Sequence, residues 1–532
     1  MAADRVAEEK RYENLSPFEL KNKLADLAKT NHEKMMINAG RGNPNWIATA
    51  PREAYFLFGG FALEEGRRVM TRPGMAGVPE RQGCGQRLLA FCAANADGDG
   101  ARFLTDAYRF VTDRLGLDGD AFAYEMADAI LGDHYPSPDR VLPLTEQIIR
   151  AYLDATLFDG RPPAGGMDFF LTEGGTAAIS YLFNTLKENG LLTPGDTLAI
   201  ATPIFSPYLE IPPLADYELT SLRIAMDESL GWQFPEGELE KLLDPAVKAF
   251  FLVNPSNPPS VSLSAESLQR IADLVASRRK DLVILTDDVY GTFVDGFTSL
   301  AAMAPRNTIL VYSYSKYFGC TGWRLGVIGI ARDNALDPMI AALPEARRMA
   351  LRQRYASIAT DPDGLKLIDR LVADSRAVAL NHTAGLSTPQ QAMMVFFSLA
   401  ELLDAAAHDY KKEARGLLAE RYAALYRGIG VAPPHDGPGC ARYYATIDIH
   451  KLAAARYGRD FDDWLREAHE PIDFVWRLAR EKDVVLMDGG GFAGPTMSVR
   501  VSQANLDTPQ YERIGRAISE LLEDYKHEWD AR

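Results

Sequence analysis

The sequence predicts an α/β protein with a large domain built on a mostly parallel central sheet, a smaller α+β C-terminal domain, and helical insertions. Three observations carry this. From about residue 135, short β-rich runs alternate with amphipathic helices, the texture of successive βαβ units. Several of those runs are continuously apolar, as strands covered on both faces by helices must be. Beyond about 388 the order becomes long helices, then strands, then a closing helix, which is how an α+β unit reads.

Residues 15–30 (LSPFELKNKLADLAKT) predict an N-terminal helix starting at Ser16-Pro17, followed by the Gly/Asn/Pro loop INAGRGNPNW. From 52 to about 132 the pattern is helical, broken by the turns TRPGMAGVPE and ANADGDGAR, with no convincing strand. Strands of the large sheet are expected at Met167 to Leu171, Leu198 to Ala201, Ala249 to Val253, Leu282 to Thr286, Thr308 to Tyr312 and Leu325 to Ile330. Residues 332–385 return to helix, longer than a simple crossover needs. The C-terminal part predicts helices over Gln390 to Gly428 and Phe461 to Lys482, strands around Arg442 to Ile449, Asp483 to Met487 and Met497 to Val501, and a last helix. The expected units are an N-terminal arm and substrate loop (1–51), a helical insertion (52–134), a large domain (135–387, with a second helical insertion at 332–385) and a small domain (388–532).

Acidic residues (73) outnumber basic ones (57), giving a formal charge of −16. A chain so charged repels phosphate backbones, so a nucleic-acid partner is not expected. No apolar run approaches the roughly 18 residues a membrane helix needs. The opening MAADRVAEEKRYENL is charged on both signs and lacks an apolar core, so no secretory signal is expected and the protein reads as cytoplasmic. Cys84, Cys92, Cys320 and Cys440 are too few and too scattered for a disulfide framework or a C-x-x-C metal site and read as buried thiols. The eight histidines form no H-x-x-x-H pair, so no metal is expected. Gly489-x-Gly491-x-x-Gly494 follows a strand and fits a dinucleotide pattern, but Pro495 and another strand come after it where a helix is required.

In an open parallel sheet, ligands gather at the carboxyl ends of the strands. Four such ends are chemically loaded: Thr172-Glu173-Gly174-Gly175-Thr176 before an apolar helix, Asn254-Pro255-Ser256-Asn257, Asp287-Asp288-Val289-Tyr290, and Ser313-Tyr314-Ser315-Lys316 with Arg324 beyond. The first presents backbone N–H groups at a helix start, which suit a phosphate. Arg500 lies inside a predicted strand, where a charge is otherwise costly.

With Asn-Pro, D-x-x-Y and S-x-S-K-x7-R in this order, the chain resembles the fold-type-I pyridoxal-phosphate (PLP) enzymes of the class I/II aminotransferase family. The resemblance is close over 135–330 and looser on both flanks. It implies a fold-type-I PLP-dependent transferase in which Lys316 holds PLP covalently and Asp287 pairs with the pyridinium nitrogen. It further implies that Asn257 and Tyr290 bond the phenolic oxygen, and that Phe205 stacks on the ring. Gly174, Gly175, Thr176, Ser313, Ser315 and Arg324 would cup the phosphate. Tyr135 matches the tyrosine that reaches a neighbouring subunit's phosphate, so the active unit would be a homodimer. Arg500 would fork the substrate α-carboxylate, with Gly42 closing over it. Arg41, beside that glycine, is the candidate for the distal carboxylate.

The two insertions and the Gly40-Arg41-Gly42-Asn43-Pro44-Asn45-Trp46 loop resemble the aspartate β-decarboxylating branch of this family. That implies L-aspartate converted to L-alanine and carbon dioxide, side aminotransferase activity with 2-oxo acids, and assembly beyond the dimer, such as a dodecamer. An aspartate or aromatic aminotransferase without decarboxylation, and a lyase of the cyclopropane-carboxylate synthase type, share the same motifs.

Overall fold

The computed structural model describes residues 10–12, 15–31, 36–404 and 409–532, with the side chains of 27–31 left undescribed. Its centre is a seven-stranded sheet: β1 (Met167–Thr172), β2 (Thr197–Thr202), β3 (Thr220–Ala225), β4 (Val247–Val253), β5 (Val283–Asp287), β6 (Thr308–Ser313) and β7 (Gly326–Ala331), in the order β1-β7-β6-β5-β4-β2-β3. Five strands, β3-β2-β4-β5-β6, run parallel, and β7 is antiparallel to both its neighbours. Period-two alternation sends the apolar runs to both faces. Ala249, Phe251, Val283 and Leu285 join one core, while Phe250, Leu252 and Ile284 join a second beneath helix Ala265–Ser277. Asp287 continues the parity of Val283 and Leu285 and so emerges on the first face, at the strand's carboxyl end.

All six expected strands are present. The seventh, β3, was not legible because it is an edge strand whose side chains are mostly exposed, with Ile224 alone fully buried. Residues 50–131 are helical (Ala50–Val69, Cys84–Ala94, Asp99–Arg109, Gly119–Leu131) and are joined to the first core through Phe58, Phe61, Leu88, Leu104, Phe122 and Met126. They also carry an exposed two-residue hairpin, Thr71–Arg72 with Met75–Ala76, that the sequence did not signal.

A separate core unites Leu20 and Leu24 of helix Pro17–Asn31 with the C-terminal strands and helices. There Tyr444–Asp448, Ser498–Ser502 and Met487–Asp488 form an antiparallel sheet in the order first-second-third, and Ile37–Asn38 pairs in parallel with Val484–Val485. The expected small-domain boundary at 388 falls at the start of helix Thr388–Asp404, whose Met393, Val395, Phe396 and Leu399 lie in the first core; the C-terminal contribution to the separate core starts at Tyr422. The helix expected over Phe461 to Lys482 is two helices, Arg459–Ala468 and Asp473–Glu481, divided at Pro471, whose ring has no N–H to donate. All four cysteines are buried thiols. Among the described residues no helix is long and apolar enough to cross a membrane.

Candidate active site

The carboxyl ends of β2, β4, β5 and β6 and the turn after β1 close around one cavity, lined among others by Gly175, Thr176, Phe205, Asn257, Asp287, Tyr290, Ser313, Ser315, Lys316 and Arg324. The sequence-predicted residues are thus brought together from five separate segments. At its floor, Asp287 accepts hydrogen bonds from the Tyr208 hydroxyl (2.8 Å) and the Val289 amide (3.2 Å). Burial pushes its carboxyl up to about 6, against the pull of those two donors and of the Lys316 charge. A buried acid that faces a cavity and has no bonded cation among the described residues fits a ligand that brings a positive charge, as a protonated ring nitrogen does.

Opposite it, the Lys316 amine donates to the Gly42 carbonyl (3.0 Å). The Ser313 and Ser315 hydroxyls are hydrogen-bonded at 2.9 Å, and Arg324 donates to the carbonyls of Thr321 (3.0 Å) and Glu173 (3.3 Å). Gly174 has φ +86°, and a Cβ there would sit 2.5 Å from the Arg324 Nη2, so only glycine lets the guanidinium lie against this turn. Two hydroxyls, one guanidinium and the start of helix Gly175–Glu188 form a cradle of the right chemistry for a phosphate.

Above this floor stands Arg500, from the small-domain strand Ser498–Ser502 and only 1% exposed. It donates to the Gly40 carbonyl (3.1 Å) and, weakly, to the Asn257 Oδ1 (3.4 Å), and lies over the rings of Tyr444 and Phe492 (4.4 and 4.7 Å). Its Nε is buried without a partner among the described residues, an unmet donor of the kind a carboxylate satisfies. Tyr290 donates to the Tyr444 hydroxyl (3.1 Å). Burial, with Tyr444 and Tyr443 nearby, drives its hydroxyl far above the usual phenol range despite Arg500, so it stays protonated and able to donate. Gly42 lies directly over the site: a Cβ there would meet the Tyr444 hydroxyl at 2.4 Å.

Five expected residues are not in the cavity wall itself: Gly174, Gly42 and Arg500 border it through Arg324, Lys316 and Asn257 respectively, whereas Tyr135 and Arg41 have no such contact among the described residues. Tyr135 is 67% exposed, its ring edge-on to His382 at 6.3 Å. Arg41 is exposed, one residue before Gly42. Tyr208 and Tyr444 line it without having been singled out. The signal for Tyr208 was slender: it follows the aromatic Phe205 by three residues across Pro207, which starts one short helical turn.

This constellation on this sheet defines a PLP enzyme, and the profile of the family described as aminotransferase class I and II matches residues 168–518; the chain belongs to that family. PLP is its cofactor. A relative from Pseudomonas sp, the bifunctional aspartate aminotransferase and L-aspartate beta-decarboxylase, is 49% identical over 520 residues, 96% of this chain and 97% of the relative. The fold is similar to that of the aspartate aminotransferase from Rhizobium meliloti (TM-score 0.60, 18% identity, 96% of this chain and 97% of that one). It is also similar to that of an aromatic aminotransferase from Pyrococcus horikoshii (TM-score 0.59, 18% identity, 94% and 99%).

Proposed function

We propose that the protein is a PLP-dependent aspartate β-decarboxylase, converting L-aspartate to L-alanine and carbon dioxide, with aspartate aminotransferase activity alongside. Kinship with the Pseudomonas enzyme supports the class. The observation that carries the substrate is a cluster of cations about the Gly40–Gly42 loop. The Lys21 stem lies against Gly40, and its amine is held below the usual range by burial, then by the Arg41 and Arg500 charges, with Glu19 opposing. Two further cations beside Arg500, which itself offers one carboxylate fork, suit a dicarboxylic amino acid.

PLP bound in this cavity supplies an electron sink that stabilises negative charge developing on the substrate carbons. The residues do the rest. Asp287 holds a proton on the ring nitrogen, Asn257 and Tyr290 donate to the phenolic oxygen, and Phe205 covers the ring. Gly174, Gly175, Thr176, Ser313, Ser315 and Arg324 hold the phosphate. Arg500 grips the α-carboxylate beneath Gly42, which orients the Cα–H bond toward Lys316. The Lys316 amine removes that proton and returns it. In the net reaction the Cβ–C4 bond breaks, carbon dioxide leaves without the bonding pair, and a proton takes its place.

Arg41 is assigned to the distal carboxylate, which a β-decarboxylase gains by holding loosely relative to the transition state. Arg41→Ala is therefore expected to change the ratio of decarboxylation to transamination by about threefold or more; unchanged rates and ratio would remove it from the site. Behind the phosphate cradle, Glu173 accepts from Arg376 (2.8 Å) and Tyr181 (3.0 Å) while its carbonyl receives Arg324. Arg376→Ala is expected to weaken PLP binding roughly tenfold by freeing that turn, as read by cofactor titration of the apoprotein.

Tyr135 is assigned to the phosphate of a second subunit, making a homodimer the minimal active unit. Further assembly, such as a dodecamer, has a suitable surface in the first insertion, where Phe56, Leu63, Val69, Met75 and Val78 are exposed; light scattering measures it. No nucleic-acid partner or membrane attachment is proposed, and a cytoplasmic location is. The deciding experiment supplies L-aspartate labelled at C4 to the PLP-loaded protein without any 2-oxo acid. Labelled carbon dioxide and alanine over many turnovers are expected. Label retained in oxaloacetate after a single turnover would make the protein an aminotransferase and leave the cavity assignments standing.

A further inference from the structure

The turn that follows Lys316 is held largely from outside itself. Cys320 N to Ser315 O (3.0 Å) closes the turn, but the two bonds within it are long: Phe318 N to Tyr314 O and Gly319 N to Lys316 O are both 3.4 Å. Its three consecutive carbonyls each find a donor elsewhere in the chain. Tyr317 O receives the Tyr410 hydroxyl (2.7 Å) and the Trp46 indole N–H (3.3 Å). Phe318 O receives the Ala48 amide (3.3 Å) and the Arg52 Nη1 (3.2 Å), and Gly319 O receives the Arg52 Nη2 (2.7 Å).

Gly319, at φ +58°, comes so close to the Trp46 carbonyl that a Cβ would lie 1.8 Å from it. Arg52 opens the first insertion helix, Ala50–Val69, and also donates to Ala48 O. Among the described residues no carboxylate pairs with it. Its guanidinium lies over the Phe397 ring (5.1 Å), so its donors are spent on backbone carbonyls.

We propose that Arg52 is a positioning residue that sets the aim of the Lys316 amine by clamping the Phe318 and Gly319 carbonyls of the turn behind it. It touches neither substrate nor cofactor. A planar fork bridging two adjacent carbonyls fixes both their separation and their direction, which a single-point donor does not. Lys316 is two and three residues away on the same turn, so a rotation there is carried into the amine that must bond the cofactor and reach the Cα proton. Small errors in that placement cost large factors in rate. The inference rests on the PLP reading of the cavity. It gives the inserted segment a role in the reaction besides any role in assembly.

The test uses the full PLP-loaded chain with Arg52→Gln and Arg52→Lys. For Arg52→Gln we expect the absorption band of the lysine-bound cofactor to titrate at a pH displaced by about 0.5 or more. Amide exchange over 317–320 should quicken about tenfold, and kcat should fall about tenfold with KM for L-aspartate within about twofold. Arg52→Lys, which reaches one carbonyl at a time, is expected to show about half of each change on a logarithmic scale.

A loss of thermal stability with the titration, the local exchange and kcat all unchanged overturns the proposal. Should Arg52→Gln fail to fold, Arg52→Lys alone decides it, an unmoved titration and unchanged exchange again overturning it. A parent chain that takes up no PLP would instead defeat the reading of the cavity, and the inference with it.

Discussion

Lys316→Ala is expected to lower turnover of L-aspartate by at least about 10⁴-fold while leaving PLP able to bind non-covalently. The size follows from two losses that coincide in one side chain. On the proposed reading the amine is both the covalent anchor and the base for the Cα proton; in the structure it bonds the Gly42 carbonyl. Proton transfer by a positioned group alone is worth roughly 10² to 10⁴. No neighbour can stand in, because the other titratable groups lining the cavity are the buried Asp287, the far-shifted hydroxyls of Tyr208 and Tyr290, Tyr444, and the guanidinium of Arg324. Small primary amines added to the variant should restore part of the rate, since the missing group is a proton carrier in a now open space. Wild-type turnover in the variant would dismiss Lys316 from the chemistry.

Asp287→Asn should separate stability from activity in opposite directions. In the cofactor-free protein the folded-state carboxyl is pushed up to about 6, above an unfolded value near 3.9. The native state therefore binds the proton more tightly. The group's contribution is most favourable below about pH 4, declines through the window from 4 to 6, and reaches its full penalty above it. A displacement of that size makes the penalty at most roughly 3 kcal/mol. Asparagine keeps an acceptor for Tyr208 without the charge, so the apoprotein variant should resist urea better at pH 8 and about equally at pH 4. Turnover should meanwhile fall by roughly 10³-fold or more, because an amide cannot hold the ring nitrogen protonated. Equal urea midpoints at pH 8, or an activity loss below about tenfold, would contradict the charge-pairing role.

Where the sequence was legible, the physics was local. Six strands of the large sheet were visible because burial on both faces demands uninterrupted apolar runs. β3 was hidden because an edge strand with one buried residue, Ile224, carries no such run. Lys316, Asp287, Tyr290 and Arg324 could be singled out through their order and spacing, which no surface lysine or core aspartate would reproduce. Tyr208 and Tyr444 could not, since a tyrosine amid apolar residues reads as core until its hydroxyl is seen on Asp287 or Tyr290. Arg52 was invisible for the same reason in reverse: an arginine in the first turn of an amphipathic helix reads as solvated, and its partners lie 266 and 267 residues downstream. The division at Pro471 was readable in principle, the proline standing in plain view inside the expected helix.

The pairing of Ile37–Asn38 with Val484–Val485 couples two distant stretches of chain into one lever. Gly40, whose carbonyl receives Arg500, follows two residues after that pairing, and the Ala39 carbonyl accepts from the Ser502 amide on the arginine's own strand. Four residues past Gly42 the chain changes allegiance, Trp46 and Ala48 bonding the lysine turn of the sheet. Any rocking of the C-terminal body over the sheet must therefore carry the carboxylate grip and its lid as a unit and be absorbed within residues 42–46.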